Sequence, residues 1–147
     1  MSISENIQNI KNSLPKDVNL VVVSKTRSIS DIEKAYSSGH KIFGENKVQE
    51  LVEKYEKLEK NIEWHMIGHL QRNKVKYIAP FVSLIHTVDT EKLLNEIDKR
   101  AKQNNRIINC LLQVHIAKEV SKFGFAHTDI ENIIQNTCKY PNINIIG

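Results

Sequence analysis

One lysine stands directly after an apolar run, where a reactive amine would be useful. Residues 20–23 are Leu-Val-Val-Val, and Ser24, Lys25, Thr26 and Arg27 follow. Four successive apolar residues, three of them β-branched, predict a short strand that is buried on both faces. In parallel α/β folds the carboxyl ends of strands carry the site, and a partly desolvated lysine there becomes nucleophilic. The spacing is compatible with a Schiff-base lysine, although a solvated loop lysine is the commoner occurrence.

Further polar side chains follow the other predicted strands at their carboxyl ends. Each has a common structural role as well, because Asn and Asp often cap helices and a histidine within a strand is usually a core residue. On local grounds Asn46 and Asp89 are interpreted as helix caps and His65 as a core histidine. The full set is Glu45, Asn46, His65, His69, His86, Asp89, His115, Ser121 and Lys122.

Three other kinds of site find no support in the spacing. The histidines are scattered, and Gly68 between His65 and His69 marks a strand end rather than a helix, so a zinc site is not expected. The sequence contains no Gly-x-Ser-x-Gly elbow, which argues against a Ser-His-Asp triad. It also has no Gly-x-Gly-x-x-Gly loop after a strand, so dinucleotide binding is not expected.

Strands and helices that would position these side chains alternate along the chain. Helices are predicted after capping boxes that start at Ser2 and Ser30, over about 47–59 and 70–79, and after caps at Asp89 or Thr90 and at Thr128. Gly39 is expected to close the second helix in a left-handed conformation. Strands are predicted at 18–23, 41–44, 62–67, 81–88, 107–116 and 143–146.

This alternation predicts parallel strands joined by right-handed crossovers. Two architectures remain open, a doubly wound sheet and an incomplete (β/α)8 barrel, because a complete barrel typically needs about 250 residues. No linker interrupts residues 1–147, which are expected to form a single domain. The last strand would then be an apolar edge without a neighbour.

Composition indicates a soluble globular protein in the cytoplasm. The 147 residues are 40% hydrophobic and 26% charged, and the formal net charge of +4 is spread along the chain. This mixed pattern gives little support to nucleic-acid binding. We expect no signal peptide and no membrane-spanning segment. Cys110 and Cys138, in apolar surroundings, are expected to be reduced and buried.

Five stretches, in order along residues 20–125, resemble the pyridoxal phosphate homeostasis protein family. A single short motif would be weak evidence, whereas five in the right order are strong. They are Val-Val-Ser-Lys-Thr at 22–26, Phe-Gly-Glu-Asn-Lys-Val-Gln-Glu at 43–50, Trp-His-Met-Ile-Gly-His-Leu-Gln-Arg-Asn-Lys at 64–74, His-Thr-Val-Asp at 86–89 and Ser-Lys-Phe-Gly at 121–124.

This resemblance implies a fold like the barrel domain of bacterial alanine racemase, an α/β TIM barrel that is incomplete here, with about six βα units. It also implies pyridoxal 5′-phosphate as cofactor, held as an aldimine by Lys25. Asn46 matches a residue near the cofactor ring, and His65 and Met66 match the floor of the pocket. Lys122 matches a loop lysine near the mouth of the site.

The sequence also departs from the family. Compared with the length of family members, residues 1–147 are expected to lack the C-terminal third of the barrel, and with it the loops that cradle the phosphate and the arginine that faces the pyridine nitrogen. His115 stands where the family usually has asparagine.

The function that the resemblance implies is cofactor binding in intracellular vitamin B6 homeostasis, without established turnover. The expected partners are pyridoxal 5′-phosphate and, as candidate recipients, the apoenzymes that depend on it, but neither nucleic acid nor membrane. A monomer is expected if the barrel is complete. Two alternatives stay open, a racemase-like enzyme and a truncated remnant with impaired cofactor binding.

Overall fold

Within the part of the chain that the structure describes, six parallel strands form one sheet in which the spatial order equals the chain order. The structure, a computed structural model, describes residues 2–116 and 123–147, so the predicted site residues Ser121 and Lys122 lie outside the described residues. The strands are β1 (Val22–Val23), β2 (Ile42–Glu45), β3 (Glu63–Met66), β4 (Leu84–Val88), β5 (Ile108–Leu112) and β6 (Ile143–Ile145).

The strand order decides between the two predicted architectures. A doubly wound sheet reverses its order at a switch point, whereas here every step goes to the next strand in the same direction. With right-handed crossovers, such a path places the connecting helices on one face of the sheet. The described residues therefore form six consecutive strands of a (β/α)8 barrel wall, five of them followed by a helix, and the incomplete barrel is confirmed.

The helices follow the predicted pattern with shifted ends. They are α1 (Ile3–Ser13), α2 (Ile29–Ser37), α3 (Val48–Lys57), α4 (Val75–Ile78), α5 (Glu91–Gln103) and α6 (His127–Gln135), with short 3-10 helices at Arg72–Lys74 and Thr137–Lys139. The capping box of Ser2 and Glu5 is confirmed. Gly39 has a φ of 86° and closes α2 as predicted.

Several predicted caps are wrong, because the helices begin one or two residues away from the predicted position. Ser28, not Ser30, caps α2, and α6 starts after Ala126 rather than at Thr128. Asn46 does not cap α3, because Lys47 holds that position without a side-chain hydrogen bond. Of the two caps proposed for α5, the structure selects Thr90.

The core lies between the sheet and the helices. Register pairs across parallel strands point to the same face, and one such row runs through Glu45, Met66, Ile85, Cys110 and Ile145. The first four of these are fully buried. Burial also raises the pKa of Cys110 to about 12, whereas Cys138 is exposed, so its predicted burial is wrong.

The opposite, concave face is much less covered. Its neighbouring row runs through Val23, Gly44, His65, Leu84, Asn109 and Asn144. Val23 is 49% exposed on β1, so the prediction that this strand is buried on both faces is wrong. At the other end of the row, Asn144 Nδ2 donates to Asn109 Oδ1 at 3.0 Å.

Candidate functional site

Lys25 lies in a tight turn immediately after β1. The Arg27 N–H donates to the Ser24 carbonyl at 3.0 Å, and Thr26 adopts a left-handed φ of 64°. The Lys25 side chain is exposed, and its amine has no hydrogen-bond partner within residues 2–116 and 123–147. The structure thus presents an accessible primary amine at the carboxyl end of a parallel strand, and of the two environments that the spacing left open, desolvated and solvated, Lys25 has the solvated one.

The two residues beside Lys25 are tied to α3. Ser24 is buried, and its carbonyl accepts a hydrogen bond from Lys54 Nζ at 2.7 Å. The Thr26 N–H donates to Glu50 Oε1, also at 2.7 Å. Both neighbours of Lys25 are therefore fixed by side chains of one helix.

Lys54 is the centre of this arrangement. Besides the Ser24 carbonyl, its ammonium donates to Glu45 Oε1 at 2.6 Å and to Glu50 Oε1 at 2.7 Å. Only 5% of the Lys54 side chain is exposed, and none of Glu45. The hydrogen bond from Lys54 is the main cause that lowers the pKa of Glu50. We call Lys54, Glu45 and Glu50 the clamp.

A second group of contacts joins the carboxyl ends of β3 and β4. His65 Nδ1 lies 3.0 Å from His86 Nε2, and Thr87 Oγ1 donates to the Gly68 carbonyl at 2.6 Å. Burial, and secondarily His86, lowers the pKa of His65 to about 4, and burial lowers the pKa of His86 as well. Both imidazoles are therefore neutral at neutral pH, and one ring donates to the other.

Farther out, His69 Nδ1 lies 3.3 Å from Asp89 Oδ2, and the His69 ring stacks on Phe123 at a centroid distance of 4.0 Å. Asp89 is buried. The polar residues predicted at the ends of the third and fourth strands thus contact one another in pairs.

The predicted pocket-floor residues His65 and Met66 lie on opposite faces of the sheet. His65 belongs to the concave row with Gly44 and Leu84. Met66 belongs to the helix-facing row and is fully buried in the core. Any contact of Met66 with a ligand on the concave face would therefore involve its backbone.

Asn46 is half-buried just after β2. It lines a cavity of about 580 Å³ together with Lys47, His69 and Tyr77. A Cβ on Gly68 would lie 2.2 Å from the Asn46 carbonyl oxygen. Because Gly68 has no Cβ, the chain after β3 can lie directly against the backbone that follows β2.

Sequence reasoning missed the role of the clamp. A signal was available, because Lys54 falls within the apolar stripe of α3, three residues after Leu51 and four before Leu58. A charged residue in a buried stripe requires partners. Glu50, four residues earlier, is one of them.

Two negative findings concern the described residues, 2–116 and 123–147. No helix there is long and apolar enough to cross a membrane. No group of three or more His, Cys, Asp or Glu side chains there could hold a metal ion.

Comparisons with known proteins found one matching family and several similar proteins. Residues 1–147 match the family described as the N-terminal domain of alanine racemase. The chain is 40% identical over 129 residues to the pyridoxal phosphate homeostasis protein of Aquifex aeolicus, covering 87% of this chain and 57% of that protein. It is 34% identical to the Pasteurella multocida protein of the same name, covering 100% and 69%. The chain thus spans about 57% to 69% of the length of these relatives.

Solved structures agree with the fold. PipY of Synechococcus elongatus with PLP bound superposes with a TM-score of 0.91 at 30% identity, over 99% of this chain and 68% of that one. Alanine racemase from E. faecalis superposes with a TM-score of 0.74 at 17% identity, over 99% and 40%. The latter likeness concerns the fold alone.

Proposed function

We propose, because this chain belongs to the alanine racemase N-terminal domain family and within it to the pyridoxal phosphate homeostasis proteins, that it binds pyridoxal 5′-phosphate through Lys25. The observation that carries the proposal is the accessible Lys25 amine at the carboxyl end of β1. A relative of the same fold, PipY, has been solved with PLP bound. The role that follows is cofactor homeostasis without turnover.

The chemistry of the residues fits this cofactor at its aldehyde end. When bound, pyridoxal 5′-phosphate supplies an aldehyde whose carbon forms a C=N bond with an amine while its oxygen leaves as water. Lys25 offers the amine, and the neutral His65–His86 pair adds no positive charge on the concave face. We assign none of the described residues to the phosphate end of the cofactor.

Borohydride trapping tests the assignment. The protein is incubated with pyridoxal 5′-phosphate and reduced, and the labelled peptide is located by mass spectrometry. We expect the label on Lys25, and its loss in Lys25→Ala. Lys57→Ala is the matched control, since Lys57 is also an exposed lysine. Equal labelling of wild type and Lys25→Ala would reject the proposal.

Four further residues are proposed to contact the cofactor. Asn46, His65 and Lys122 would do so through their side chains and Met66 through its backbone. Loss of one hydrogen bond typically costs about 1 kcal/mol. The variants Asn46→Ala, His65→Ala and Lys122→Ala should therefore each weaken cofactor affinity several-fold in an absorbance titration. An unchanged affinity would remove that residue from the site.

We also propose a cytoplasmic location and transfer of the cofactor to apoenzymes that depend on it. Transfer is tested by mixing the loaded protein with such an apoenzyme and following the recovery of its activity. Recovery no faster than with the same concentration of free pyridoxal 5′-phosphate would argue against direct delivery.

A further inference from the structure

We infer that the clamp of Lys54, Glu45 and Glu50 is the device that positions Lys25 for its reaction. This inference rests on the proposed function, since it concerns the same amine. None of the three clamp residues is proposed to touch the cofactor. They act on the backbone on both sides of Lys25, and are therefore positioning residues.

Hydrogen bonds from the clamp reach the backbone on both sides of Lys25. The Ser24 carbonyl, on the amino-terminal side, accepts from Lys54, and the Thr26 N–H, on the carboxyl-terminal side, donates to Glu50. Ser24 Oγ also donates to Glu45 Oε1 at 2.6 Å. Among the described residues, Ser24 and Thr26 each form hydrogen bonds with the clamp, whereas Lys25 between them forms none.

The turn that carries Lys25 has an unfavourable backbone conformation at Thr26. Thr26 has a φ of 64°, in the left-handed region that a residue with a Cβ disfavours. Such a conformation persists where surrounding contacts fix it, and the charge-assisted bond from the Thr26 N–H to Glu50 is such a contact. Without that bond we expect the turn to relax and the Lys25 side chain to leave from a different direction.

The clamp residues also hydrogen-bond to one another. Lys54 donates three hydrogen bonds, the full capacity of an ammonium group. Glu50 Oε1 receives both the Lys54 ammonium and the Thr26 N–H. The position of Lys54 in α3 is therefore transmitted to both sides of the turn.

The test compares two acidic residues of α3. Glu50 and Glu53 each pair with the lysine four residues later, at 2.7 and 2.6 Å, but only Glu50 reaches the Lys25 turn. In cofactor-free Glu50→Ala we expect hydrogen exchange of the Thr26 amide to become about 10-fold faster, because a charge-assisted hydrogen bond is lost. The rate of borohydride labelling of Lys25 by pyridoxal 5′-phosphate should fall by a similar factor. Glu53→Ala should change neither quantity.

Glu50→Gln provides a conservative rescue. Its amide oxygen can still accept from Thr26, so we expect exchange and labelling between those of wild type and Glu50→Ala. General destabilisation would instead accelerate exchange throughout α3 and β2. If Glu50→Ala does not fold, the readouts are taken on Glu50→Met, which fills the space without an acceptor, and wild-type values there overturn the inference.

The outcomes separate this inference from the proposed function. If Lys25 of the wild type is not labelled, the proposed function fails, whatever the exchange data show. If the wild type is labelled and Glu50→Ala labels at the same rate, the positioning role is overturned while the proposed function stands. Faster Thr26 exchange together with slower labelling supports both.

Discussion

Two neighbouring parts of the same sheet edge are held in different ways. At the ends of β1 and β2, the Lys25 turn is fixed to α3 by the buried charges of the clamp. At the ends of β3 and β4, the strands are joined by the neutral His65–His86 pair and the Thr87 bond to Gly68, with the His69–Asp89 contact farther out. A lysine–glutamate network thus surrounds the exposed amine, whereas histidine and threonine side chains make the hydrogen bonds between the neighbouring strands.

An exposed reactive group can therefore be held in position without being covered. Lys25 and Lys54 are identical side chains near one turn, yet one is exposed and the other has three hydrogen bonds. The buried lysine takes the structural role and leaves the exposed one available. The comparison predicts that the two parts respond differently to loss of a charge and to pH.

The largest effect is expected from Lys54→Met. It leaves the fully buried Glu45 without its cation, and removing one partner of a buried pair typically costs about 3–5 kcal/mol. The measurement is the free energy of unfolding in urea. Lys57→Met, which removes an exposed lysine from the same helix, should change it by less than about 1 kcal/mol.

The double variant Glu45→Gln/Lys54→Met separates the cost of the unpaired charge from the cost of the lost contacts. It leaves no uncompensated charge at Glu45, so we expect it to be more stable than Lys54→Met alone. Equal stability of the single and double variants would mean that the charge of Glu45 is not what makes the loss of Lys54 costly.

The histidine part should show a pH dependence of moderate size. The folded-state pKa of His65 is about 4, below the ordinary 6.5, so the unfolded state binds more protons between these values. Stability therefore rises with pH in this window and is lost as pH falls, with a slope of up to about 1.4 kcal/mol per pH unit for one proton. Urea titrations from pH 4 to pH 7 measure it.

His65→Gln tests the origin of that slope. Glutamine does not titrate, so we expect a flatter dependence over the same window, with part of the slope retained by His86, whose pKa is also lowered by burial. A slope identical to that of the wild type would exclude His65 as its source.

Much of the fold was predictable because local chemistry decided it. The Ser2 capping box and the left-handed Gly39 are local signals, and both are confirmed. Alternation of strands and helices predicted the parallel sheet. Whether that sheet is doubly wound or barrel-like depends on strand order, a long-range property that no local pattern reports.

For the site, the sequence predicted only that the polar residues lie at the carboxyl ends of the strands. The polar side chains at the ends of β3 and β4 do contact one another. The register between the strands, however, decides which face of the sheet the side chains of His65 and Met66 occupy. The clamp joins residues up to 30 positions apart, from Ser24 to Lys54. The exposure of Val23 depends on what covers the concave face, which is a tertiary property as well.

The smallest effect is expected from Thr87→Val, which keeps the shape of the side chain and removes the donor to the Gly68 carbonyl. The loss should be about 1 kcal/mol, the typical net value of a hydrogen bond. Labelling of Lys25 should be unchanged, because the clamp, not this contact, fixes its turn. Urea unfolding of Thr87→Val, Glu50→Ala and the double variant then tests independence. If the two losses of unfolding free energy add to within about 0.5 kcal/mol in the double variant, the two parts of the sheet edge are held independently. A larger interaction energy would mean that the sheet edge acts as one coupled unit.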